Sequence, residues 1–283
     1  MLTARTFLVR GLLAGLIAGV LTFGVAYLVG EPPVASAISF EESQSAESPP
    51  AAETTDHAHD ATAGADATEQ HSHGDDDALV SRANQATWGL ATATVVLGVA
   101  LGGIIGLVSA FAVGRLGRLT PRASTMLVAA IGFVAVYFVP YLKYPPNPPA
   151  VGDPNTIGHR TELYFAMLAC SVVAAVAAVV LARRLARTMD TWNAVLIAIA
   201  GYVVVVGLVA WLLPVVDEVP ADFSADLLWR FRMASLTVQA FLWLVTGLLL
   251  ATMIGMVARR AAAARGLDGQ LLAGTAPARS TSA

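Results

Sequence analysis

Long apolar stretches alternate with short polar ones along the chain, and the apolar stretches are too long and too free of charge for soluble helices. They fall at about residues 9 to 29, 88 to 114, 123 to 142, 162 to 182, 192 to 214 and 233 to 258. Crossing about 30 Å of hydrocarbon takes about 20 helical residues, and a backbone in lipid must bond to itself. The pattern predicts an all-α membrane protein, a bundle of about six transmembrane helices. A second period runs through the first two stretches: Gly11, Gly15 and Gly19, then Gly98, Gly102 and Gly106, recur every four residues. Such faces let backbones approach closely, so these helices should pack against each other or against a partner subunit.

Composition agrees with this reading. Of 283 residues, 56% are hydrophobic and 13% charged, where a soluble domain carries about a quarter charged. The single cysteine, Cys170, leaves no disulfide framework and no Cys-based metal motif.

Charge then orients the bundle. Twelve of the 17 basic residues (Arg5, Arg10, Arg115, Arg118, Arg122, Arg183, Arg184, Arg187, Arg259, Arg260, Arg265 and Arg279) fall on one side of the six-span layout, against Arg82, Lys143, Arg160, Arg230 and Arg232 on the other. The excess marks the cytoplasmic side, which predicts a multi-pass protein of the cytoplasmic membrane with both termini inside. The chain then divides into a first transmembrane helix (1–30), an external acidic and mostly disordered loop (31–87), a five-helix membrane bundle (88–258) and a basic cytoplasmic tail (259–283). Ordered external loops are expected at 143–161, rich in proline, and at 215–232, acidic and aromatic. Arg5, Arg10 and the small run Ala35-Ser36-Ala37 also resemble a cleaved signal peptide, which would leave five spans, but the apolar stretch Gly11 to Val29 is 19 residues, longer than the usual ~7 to 15.

The spans exclude several functions. Apart from Glu162 at the mouth of the fourth, none carries Asp, Glu, Lys, Arg or His at depth, which argues against a proton relay or ion-coupled pump built on a midplane carboxylate. No phosphate-binding loop and no metalloprotease or serine-hydrolase motif occurs. Nothing points to an enzyme or to nucleic-acid binding.

The remaining chemistry gathers at the outer ends of the spans. "GEPPVASAISFEE" carries Glu31, Glu41 and Glu42; "YLKYPPNPPAVGDPNTIGHRTELYF" holds five prolines within ten residues and presents Lys143, Tyr144, Asn147, Asp153, His159 and Arg160; "LPVVDEVPADFSADLLWRFRMASL" adds Asp217, Glu218, Trp229, Arg230 and Arg232. Proline fixes φ near −65° and biases the preceding residue to extended backbone, so the second segment reads as a stiff strap. Tyr144 and Trp229 also suit interfacial anchors, and Arg230 and Arg232 suit snorkelling cations.

"RGLLAGLIAGVLTFGVAYLVGEPPVASAISFEE", "KYPPNPPAVGDPNTIGHRTELYF" and "LPVVDEVPADFSADLLWRFRMASL" resemble the CbtA family, the probable cobalt transporter subunits, and the likeness runs from about Arg10 to about Val257. The resemblance implies a multi-span membrane protein linked to cobalt supply for cobalamin synthesis, working with CbtB, a small His-bearing single-span partner. By motif it implicates Glu31, Pro32 and Glu41; Lys143, Tyr144, Pro145, Asn147, Pro148, Asp153 and Arg160; and Glu218, Pro220, Trp229, Arg230 and Arg232. Arg is commoner in the family where this chain has His159, which weighs against His159 as a ligand.

Two His-x-His pairs, His57/His59 and His71/His73, lie among seven acidic residues between Asp56 and Asp77. Imidazole and carboxylate suit Co²⁺, Ni²⁺ and Zn²⁺, while the same composition, with little to bury, is that of a disordered linker. Such a loop captures metal weakly and cannot select cobalt, since Cu²⁺ outbids it. The expected function is therefore uptake of a transition metal, Co²⁺ first and Ni²⁺ or Zn²⁺ second, by a permease or permease subunit with no permanently bound cofactor. The His loop would collect ions, and Glu31, Glu41, Asp153, Asp217 and Glu218 would offer donors at an external vestibule. Lys143, Arg160 and Arg230 would brace those carboxylates, with Tyr144, Asn147, Trp229 and Arg232 structural at the mouth. Inside the membrane, Asn193, Ser171, Gln239 and carbonyls of broken helices are the groups left to replace water. The alternative is a non-transporting scaffold or metal-sensing subunit, and a homo-oligomer is compatible with either.

Overall fold

The computed structural model describes residues 3–47, 81–117, 119–149, 151–152 and 156–274, and among these every regular element is helical. The helices are α1 (Ala4–Val25), α2 (Glu31–Glu47), α3 (Arg82–Asn84), α4 (Leu90–Ala112), α5 (Pro121–Gly132), α6 (Val139–Lys143), α7 (Ile157–Leu185), α8 (Thr191–Leu212) and α9 (Ala225–Gly274). Six continuous helical units are long and apolar enough to cross a membrane: Ala4–Ser43, Arg82–Ala112, Pro121–Lys143, Ile157–Leu185, Thr191–Leu212 and Ala225–Arg265.

Three of these units contain a wider π-type turn, at Ala26–Gly30, Gln85–Gly89 and Phe133–Phe138. Two of the three have a cause in the sequence. Pro32 and Pro33 have no N–H for the carbonyls of Leu28 and Val29, and Pro140 has none for that of Val136. The helix answers by bonding one residue further along, Glu31 N–H to Ala26 and Val139 N–H to Val134. Proline at the start of the next helical segment is then tolerated, and the first unit runs on through Glu47 instead of giving way to a loop at residue 31. Ala35-Ser36-Ala37 accordingly lies within α2, with Ala37 wholly buried.

Short polar caps fix the helix starts at the opposite end. The Thr3 hydroxyl accepts from the Thr6 N–H, Thr120 from the Ala123 N–H ahead of Pro121, and Asp190 from the Trp192 N–H. Each satisfies a donor that the helix leaves free.

Packing gives two groups of helices. In the larger, Phe7 and Ala14 of α1, Ile105 of α4, Ala129 of α5 and Trp243, Leu250 and Ile254 of α9 form one core. The α1–α4 seam within it is made of backbone. A Cβ added at Gly11, Gly15 or Gly102 would stand on the facing carbonyl oxygen; at Gly98, Gly106 and Gly19 it would lie 2.5, 2.6 and 2.7 Å from the carbonyls of Gly15, Phe7 and Thr94. The two glycine faces predicted from their spacing thus meet each other. In the smaller group, Val139 of α6, Met167 and Ala174 of α7 and Val206 of α8 pack together. Helix α8 leans chiefly on α7 and buries little of its apolar surface.

Candidate functional site

Two ends of the bundle differ in kind. One carries Arg115 after α4, Arg122 in the first turn of α5, Arg183 and Arg184 in the last turn of α7 and Arg259, Arg260 and Arg265 in the last third of α9, and is called here the basic end; the other carries α2, the proline-rich strap and the 213–224 segment, and is called the strap end.

At the strap end, helices begin earlier than the sequence suggested. Arg160 and the exposed His159 lie in the first turn of α7, and Trp229, Arg230 and Arg232 lie on α9, because Ile157 and Ala225 already start those helices. What remains irregular is tied down at several points. Tyr144 of the strap donates its hydroxyl to the Pro214 carbonyl at 2.8 Å. Desolvation raises the Tyr144 phenol above its ordinary pKa of 10.0, so it remains a neutral donor at physiological pH. Tyr141 donates to the Arg232 carbonyl at 2.9 Å, and the Arg232 guanidinium donates to Asn147 Oδ1 at 3.0 Å. Phe40 of α2 meets Phe223 edge-to-face at 5.4 Å, which binds the extension of the first span to the segment before α9. Pro148, Val151 and Phe223 are buried beneath these contacts.

Two ion pairs complete the cap. Arg160 holds Glu218 at 2.9 Å, and the Thr156 hydroxyl donates to the other oxygen of the same carboxylate. Arg82 holds Glu31 at 2.5 Å, with the carboxylate 17% exposed. Gly152 makes the first pair possible: its φ of +121° belongs to glycine, and a Cβ there would lie 2.6 Å from the Arg160 guanidinium. Gly152→Ala should therefore push Arg160 off Glu218 and destabilise the protein by about 1–3 kcal/mol, read as a fall in the unfolding temperature in detergent.

The candidate residues thus separate by role. Glu31 and Glu218 are engaged by arginine, while Asp217 is exposed; Glu41 is exposed too but has an interaction of its own. Arg160 braces a candidate carboxylate, whereas Arg230 pairs with Asp226 one turn away on an exposed face and Lys143 sits over the Tyr144 ring, 5.6 Å from its centroid. Trp229 is exposed as an anchor would be. Asp153 and His57, His59, His71 and His73 lie outside the described residues. Among the described residues, no three His, Cys, Asp or Glu side chains come together to hold a metal ion. Within the spans, Ser171 is spent on Tyr202 at 2.9 Å, Asn193 is exposed and Gln239 is half-buried on α9.

Arg82 and Thr156 enter the site without having been singled out from sequence. Arg82 had one legible signal: it is among only five basic residues on its side of the layout. Each of those five is engaged, Arg82 by Glu31, Arg160 by Glu218, Arg230 by Asp226, Arg232 by Asn147 and Lys143 by an aromatic face.

Compared with known proteins, the chain matches the family described as probable cobalt transporter subunit (CbtA) over residues 4–255. No curated protein and no solved structure matches it.

Proposed function

This chain belongs to the CbtA family, the probable cobalt transporter subunits, and from that premise we propose that it is a permease subunit taking Co²⁺ up across the cytoplasmic membrane. The strap end faces outward in this reading, as the concentration of arginine at the other end requires. The observation that carries it is the division of labour at the strap end. Every basic residue there is tied to a partner, while Asp217 stays exposed. A surface of that kind concentrates cations near the mouth without trapping them.

Capture and passage are separate tasks here. The His pairs collect ions, Glu41 and Asp217 draw them in, and the paired Glu31 and Glu218 keep the mouth in shape. With no Asp, Glu, Lys, Arg or His deep in a span, the ion exchanges water for neutral oxygens on its way through. A small single-span, His-bearing subunit of the CbtB kind is the proposed partner, and Ni²⁺ and Zn²⁺ are the competing ions.

Uptake of radioactive cobalt by cells with and without the protein tests the reading directly; equal uptake removes it. Asp217→Ala combined with Glu41→Ala should raise the half-saturating Co²⁺ concentration by about 3- to 10-fold at low salt, with the maximal rate unchanged and the difference fading as salt screens the surface. The lack of a three-ligand cluster among the described residues favours a second reading, a non-transporting scaffold that binds metal at its outer loop. That reading predicts metal binding with no crossing in proteoliposomes containing both subunits.

A further inference from the structure

Four hydroxyls inside the larger helix group are buried and have no hydrogen-bond partner among the described residues: Thr22 on α1, Ser109 on α4, Ser124 on α5 and Thr246 on α9. Each of the four residues is at most 1% exposed. A hydroxyl in a membrane helix ordinarily returns its proton to the carbonyl four residues back. Thr94, Thr125 and Thr237 of the same helices do so, to Leu90, Pro121 and Met233 at 2.9, 2.8 and 2.8 Å. The four unpartnered hydroxyls do not. Leaving one such group unpaired costs about 1–3 kcal/mol, and lipid offers no substitute.

Two of the four share a level. Helices α1 and α9 run antiparallel, and Gly30 lies against Val238. Eight residues inward on each helix, about 12 Å deeper, stand Thr22 and Thr246. They share a depth near the middle of the last span. Ser109 and Ser124 form no such level: Gly106, three residues before Ser109, meets Phe7 near the start of α1, while Arg122, two residues before Ser124, meets Gly255 only nine residues beyond Thr246. All four belong to one bundle, whereas the buried Ser171 of the other group is bonded.

We infer that Thr22 and Thr246 form a midway station for the transported divalent cation, where neutral oxygens replace part of its hydration shell. The inference rests on the transport reading and deepens it. Neutral hydroxyls suit passage because they bind weakly enough to release the ion, and no carboxylate deep in a span competes for it.

The full chain in proteoliposomes provides the test. Thr22→Val with Thr246→Val should cut Co²⁺ uptake at least ~10-fold, while Thr22→Ser with Thr246→Ser stays within ~2-fold, because only the serines keep the oxygens. Its unfolding temperature should not fall, since an apolar isostere of an unpaired hydroxyl is neutral or stabilising. A valine variant that transports like wild type overturns the inference and leaves the transport reading intact. A second arm does not depend on transport. In a Cys170→Ala background, Thr22→Cys with Thr246→Cys should develop a near-ultraviolet thiolate-to-Co²⁺ absorption band on addition of Co²⁺. Absence of that band overturns the midway station. A band without uptake by wild type would instead sink the transport reading and leave the binding site standing.

Discussion

Gly15→Leu should prevent α1 and α4 from closing on each other. The new side chain would begin on the Gly98 carbonyl oxygen, with the Gly102 Cα 3.1 Å from the same point, and neither atom belongs to a side chain that can turn away. Overpacking a core costs about 1–3 kcal/mol when side chains yield; here helices must separate, so the loss should exceed about 3 kcal/mol. The measurement is the amount of folded protein recovered from the membrane and its unfolding temperature in detergent. Gly24→Leu is the matched control on the same helix, because a Cβ there meets nothing within 4 Å. Equal recovery of the two variants would contradict the backbone seam.

The second large effect is expected at the strap end. Glu218→Ala leaves the Arg160 guanidinium without its carboxylate, in a place where its Nε already lacks a partner among the described residues. Breaking a buried pair costs about 3–5 kcal/mol. Arg160 keeps 28% exposure, and water screens part of that loss, so about 2 kcal/mol is expected. Hydrogen exchange should quicken in the strap and in residues 213–224 while α1 and α4 stay protected. Adding Arg160→Met to Glu218→Ala should recover stability, because the penalty lies in the stranded charge. Asp226→Ala should move stability by no more than about 0.5 kcal/mol, since its pair with Arg230 is exposed. A loss at Asp226 as large as that at Glu218 would remove burial as the explanation.

What could be read from sequence was what neighbouring residues decide together. The six spans follow from runs of apolar residues, and the α1–α4 seam from a period of four in glycine, which marks a face wherever the helix is placed. The extension of the first span was hidden because Pro32-Pro33 ordinarily ends a helix; the π-type turn that absorbs it leaves no composition of its own. Long-range pairs were hidden for a different reason. Glu31 finds Arg82 across 51 residues and Arg232 finds Asn147 across 85, and no local spacing encodes such a meeting. Charge sign was informative, since few cations lie on that side, but which carboxylate each would take was not. Arg230 shows the limit: its nearest acid was one helical turn away, at Asp226, rather than at the mouth.

Backbone contact between α1 and α4 also fixes how freely this chain can vary. Along the seam, six positions have room for hydrogen alone, so drift there is closed to all nineteen other residues. On the far side of the same helix, Leu13, Leu16, Ile17, Val20 and Leu21 face outward, where lipid accepts almost any apolar shape. One helix therefore carries two clocks, a stopped one on the seam and a fast one a few ångströms away.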